Sequence, residues 1–115
     1  MGSLYLILGK YEQAIVKLEK TIDLRRFYYL PYMNLSLVYS CLEKDVEKNE
    51  NFEKAYNLLE RTDENEKMWI LREYNKFLSS AKEDLLKEEN DDGEKRSHNE
   101  RFSQALEEVI SRIEE

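Results

Sequence analysis

Apolar residues along this chain recur at spacings of three and four, the period of a helix that buries one face. Leu4 to Gly9 reads as the end of a helix stopped by glycine. A second helix, about Tyr11 to Leu24, carries the stripe Tyr11, Ala14, Ile15, Leu18 and Ile22. A third begins near Pro31, tolerated in a first turn because its missing N–H had no partner there, and runs to about Leu42. "EKDVEKNE" has no apolar period and reads as a loop or a frayed end. A fourth helix, about Phe52 to Arg61, presents Phe52, Ala55, Tyr56 and Leu59. Thr62 or Asp63 signals the next start, and a fifth helix runs from about Glu66 to Lys87. "EENDDGEKRSHN" reads as a second charged loop. The sixth helix, from Asn99 or Glu100 to the end, is striped by Phe102, Ala105, Leu106, Val109 and Ile113. No strand survives this reading, so the expected fold is all-α with about six helices.

Three segments share one pattern: an aromatic, an alanine three residues on, and a large aliphatic four further. They are Tyr11-Ala14-Leu18, Phe52-Ala55-Leu59 and Phe102-Ala105-Val109. The aromatics lie 41 and 50 residues apart. Against a helix-pair repeat of about 34 residues, that spacing demands insertions of about 7 and about 16. The two charged loops, residues 43–51 and 88–99, have roughly those lengths, and loops absorb extra residues at low entropic cost.

The helix before the middle copy reads aromatic-x-x-Leu-small-x-x-Tyr, with Tyr32, Leu35, Ser36 and Tyr39. Together with Ala55 this resembles the tetratricopeptide repeat, whose first helix carries Trp-x-x-Leu-Gly-x-x-Tyr and whose second carries Ala-x-x-x-Phe. Small Ser36 and Ala55 allow two antiparallel backbones to approach closely. The match is best over residues 29–62. Residues 1–28 lack most of a first helix and have Arg26 near the place of the repeat-ending proline. Over residues 63–115 the packing set of the first helix is either Tyr74, Phe77 and Ala81 or Leu71, Tyr74 and Leu78; the former keeps the repeat count more regular. The resemblance implies one domain over residues 1–115, built of antiparallel helix-pair units at about 1–28, 29–62 and 63–115.

The family is a family of binding scaffolds, in which first helices line a concave groove. The resemblance therefore implies a protein–protein interaction module that takes a peptide or helical segment of a partner. Groove residues carried over from it are Leu30, Met33, Asn34, Leu37 and Cys41 on the third helix, and Arg72, Asn75, Lys76 and Ser79 on the fifth. Some members grip an acidic chaperone C-terminus through a full set of Lys, Asn and basic residues. Asn34 fits one place and Arg72 with Lys76 fits another, but Ser3 stands where the first unit needs Asn. The alternative is a structural role, as a terminal piece of a larger repeat protein or assembly subunit. Self-association through exposed terminal helices belongs with that alternative.

Composition narrows the partners. The chain of 115 residues has three Gly, one Pro and 37% charged residues, which suits long helices with solvated faces. Net charge is −7, against sequence-independent nucleic-acid binding, which needs cations to displace phosphate counterions. Residues 1–42 carry five basic and three acidic side chains; the remainder carries thirteen and twenty-two. That acidic part is a poor match for anionic membranes. Cys41 is alone, which excludes an internal disulfide and a cysteine zinc site and suits a reducing, cytoplasmic setting. Glu88, Asn90, Asp92 and Gly93 resemble a calcium loop, but Asn99 stands where a bidentate Glu is needed. His98 reads as a surface residue and Trp69 as core. No phosphate loop, paired His ligands or nucleophile motif is present, so neither an enzyme nor a cofactor is expected.

Overall fold

The structure, a computed structural model, describes residues 3–87 and 93–115. It is all-helical, and no strand occurs among the described residues. The helices are α1 (Ser3–Ile7), α2 (Tyr11–Leu24), α3 (Tyr29–Cys41), α4 (Asp45–Glu60), α5 (Glu64–Leu86) and α6 (Gly93–Glu114). The chain divides into two compact units, Met1–Asp63 and Glu64–Glu115. That division falls where the second expected repeat ends.

In the first unit each helix packs on the next, α1 on α2, α2 on α3 and α3 on α4, and α1 also reaches α3. The α2 stripe behaves as its spacing demands: Ala14 and Leu18 are buried, while Tyr11, Ile15 and Ile22 are half-buried. Helix α3 is different. Ten of its thirteen residues are buried, because apolar side chains surround its whole circumference and such a helix must be enclosed. Ser36 and Ala55, the small residues expected between α3 and α4, are both buried.

The ends of α1 and α3 are built alike. Gly9 N–H donates to Leu6 O at 3.1 Å and Lys10 N–H to Tyr5 O at 2.8 Å. Glu43 N–H donates to Ser40 O at 3.1 Å and Lys44 N–H to Tyr39 O at 2.9 Å. Each pair satisfies carbonyls that a helix end would leave open, and it requires a left-handed residue at the turn. Gly9 (φ 77°) and Glu43 (φ 61°) supply it. These two turns lie 34 residues apart, and so do the starts of α2 and α4 at residues 11 and 45.

This register corrects the expected one. Helix α4 begins at Asp45, not near Phe52, so there is no inserted loop over residues 43–51. Lys48 pairs with Asp45 at 3.8 Å and the Asn51 amide donates to Glu47 O at 2.9 Å within its first turns. Counting 34 residues back from Phe52 reaches Leu18, not Tyr11, and Leu18 and Phe52 are both buried. The shared aromatic-alanine pattern of α2 and α4 therefore marks two different heights on the two helices. Thr62 is also reassigned: its hydroxyl donates to Leu59 O at 2.6 Å, closing the end of α4 rather than starting α5.

In the second unit α5 packs on α6. Ile70, Tyr74 and Ala81 are buried on α5, with Phe77 half-buried. Tyr74 and Phe77 are in ring contact at 6.1 Å, in keeping with the Tyr74-Phe77-Ala81 frame. All five stripe residues of α6 are buried. Helix α6 starts at Gly93, so residues 93–99 are helical and not loop. The calcium-loop positions Glu88, Asn90 and Asp92 lie outside the described residues. His98 is buried, not on the surface, and its ring stacks on Phe102 at 5.3 Å. Trp69 is 38% exposed, not core. Lys82 and Glu107 join α5 to α6 by an ion pair of 3.1 Å.

Candidate functional site

The residues expected on a binding surface fall into two groups of opposite fate. Leu30, Met33, Asn34, Leu37 and Cys41 are all buried in the folded chain, with Met33, Leu37 and Cys41 at 0% exposure. They occupy α3, the helix with no polar face to turn outward. The expectation that Met33 and Leu37 remain available after packing is therefore corrected: both are consumed by the core. Asn34 is enclosed as well, and Cys41 is buried.

The α5 residues, by contrast, stay accessible. Arg72, Asn75, Lys76 and Ser79 are exposed and line one open depression, joined by Ser80 and Glu83. Spacings of three and four put them on one face of the helix, opposite the buried Ile70, Tyr74 and Ala81. The Asn75 amide donates to Leu71 O at 2.8 Å, which fixes the side chain against its own helix. Ser80 and Glu83 were not among the expected residues. Their signal was available, since Ser80 lies four residues beyond Lys76 and Glu83 four beyond Ser79.

The depression offers two cations, one amide, two hydroxyls and one carboxylate. Arg72 can fork onto a carboxylate or a backbone carbonyl pair, while Lys76 acts as a point charge one turn away. Glu83 adds an acceptor at the far end, so the face is polar from positive to negative along the helix. Such a row suits an extended or helical peptide held by several exposed, solvent-screened contacts. It does not assemble a nucleophile beside a base. Among the described residues no group of three or more His, Cys, Asp and Glu could hold a metal ion, and no helix is long and apolar enough to cross a membrane.

One group elsewhere has a displaced titration. Burial pushes the Tyr39 phenol up, and the carboxylates of Glu19 on α2 and Glu47 on α4 push it in the same direction. Tyr39 thus reports the packing of α2, α3 and α4.

No family model, curated protein or solved structure matches the chain.

Proposed function

We propose that the chain is a tetratricopeptide-type helical-repeat scaffold that holds a segment of a partner protein on the exposed polar face of α5. The observation that carries this reading is the 34-residue recurrence in the first unit. Two helix ends with the same pair of capping bonds, and two helix starts, repeat at that interval. Recurrence of this kind belongs to arrays whose role is to present a surface. Of the two helices expected to line the groove, α3 is enclosed and α5 keeps an exposed face. The partner is a protein or peptide rather than nucleic acid or membrane, in keeping with the net charge of −7. A single, buried Cys41, with no second cysteine to pair with, suits a cytoplasmic setting.

A display selection of random peptides against the immobilised full chain tests the reading. The expected result is a peptide class whose binding slows amide exchange over residues 72–83. Selected peptides that protect only other segments, or no selected peptide at all, would overturn it.

A second reading, a subunit of a larger repeat assembly, is favoured by α1 and the turn that follows it. Leu4 is 62% exposed and Leu8 57%, an apolar surface of the kind that stacking repeats cover. Replacing both with Ser should then leave the isolated chain's stability nearly unchanged while abolishing co-assembly.

A further inference from the structure

The connection from α2 to α3 carries the two most exposed large apolar side chains among the described residues, Leu24 at 85% and Phe27 at 83%. Between them stand Arg25 and Arg26, both exposed. The turn is braced. Tyr28 N–H donates to Arg25 O at 3.2 Å, the Tyr32 hydroxyl donates to Arg26 O at 3.1 Å, and the Arg25 guanidinium lies 4.4 Å from the centre of the Tyr28 ring. A braced turn loses little freedom on binding. Aromatic and arginine side chains together are also the usual anchors of protein interfaces.

A surface of matching chemistry exists on the same chain. Helix α5 opens with Glu64 and Glu66 in its first turn, followed by Met68, 59% exposed, and the half-open Trp69. Glu64 and Met68 are four apart and share a face. We propose that a second copy of the chain docks here, with the Leu24–Phe27 turn of one copy seated on the first two turns of α5 of the other. Phe27 and Leu24 cover Met68 and Trp69, and the arginines meet the acidic first turn. Arg72, one turn further along, repels the arginines and so sets the register. An anionic lipid surface could meet the same arginines but offers nothing to Met68, Trp69 and the acidic first turn of α5, which a second copy engages together. Each copy holds both halves of the contact, so association either closes, as a reciprocal dimer or a larger ring, or grows head to tail.

Sedimentation velocity of the purified full chain over a concentration series tests this. Association should rise with concentration and weaken from about 0.1 M to about 1 M salt. Phe27→Ser, and separately Arg25→Glu with Arg26→Glu, should weaken it at least about tenfold with helical circular dichroism unchanged. Glu64→Lys should also weaken it. Mixing the Arg25→Glu/Arg26→Glu protein with the Glu64→Lys protein should restore mixed association, which a mere loss of folding could not do. A chain that stays monomeric throughout overturns the proposal, as does association indifferent to Phe27 and the arginines. Cosedimentation of the monomer with phosphatidylserine vesicles, lost in Phe27→Ser, would assign the turn to lipid and equally overturn it.

Discussion

At the scale of single residues, the sharpest feature is Glu43. It occupies the same left-handed turn as Gly9, 34 residues on, but carries a side chain. A left-handed residue with a Cβ costs roughly 1–2 kcal/mol, and glycine removes that strain at the expense of some chain entropy. Glu43→Gly should therefore stabilise the protein by a few tenths to about 1 kcal/mol, read from the urea midpoint. Ser36 is a second case. Its hydroxyl is buried without a hydrogen-bond partner, so Ser36→Ala should be neutral or stabilising by about 1 kcal/mol. A loss of stability in that variant would mean the hydroxyl is satisfied after all. Tyr39 gives a pH signature. Its phenol is raised by burial and by Glu19 and Glu47, so the folded state holds the proton more tightly than the unfolded state. That contribution is complete below about pH 10 and is lost as pH rises further. Urea midpoints measured through that range should fall more steeply for wild type than for Tyr39→Phe.

Much of the residue scale was legible in the sequence. Ala14, Leu18, Ser36, Ala55, Leu59 and the α6 stripe are buried as their spacing requires. Met33 and Leu37 were misjudged for a definite reason. A motif says which residues make the contact between paired helices, but it cannot say whether a third neighbour covers the remaining face. His98 was misjudged because the charged residues around it hid that it stands four before Phe102, on the buried side of α6.

At the scale of elements, the existence of all six helices could be read, and so could the bounds of α2. The starts of α4 and α6 could not. In both, the first turns are charged and carry little apolar period, so a pattern search sees a loop. Yet their Glu and Lys residues are adequate helix formers, and Asp45 and Glu47 sit in the first turn of α4, where negative charge is favourable. The difference is testable at Glu50, an exposed residue inside α4 by the structure and inside a loop by the sequence reading. Glu50→Pro should destabilise the protein by about 3 kcal/mol, since it breaks a helical hydrogen bond and clashes with the preceding turn. A change within about 0.5 kcal/mol would restore the loop.

At the scale of the whole molecule, the sequence pattern and the backbone geometry recur at different intervals. The sequence pattern pairs Tyr11 with Phe52 at 41 residues; the backbone pairs Gly9 with Glu43 at 34. The shorter interval needs no insertion, and with α3 enclosed the proposed partner surface lies on α5. There the sequence had already singled out Arg72, Asn75, Lys76 and Ser79. If this face holds a partner segment, titration of a display-selected peptide against wild type and the Arg72→Glu/Lys76→Glu protein will tell the two proteins apart. These exposed changes should leave helical circular dichroism intact and weaken affinity at least about tenfold. Equal affinity in the two proteins would contradict the claim.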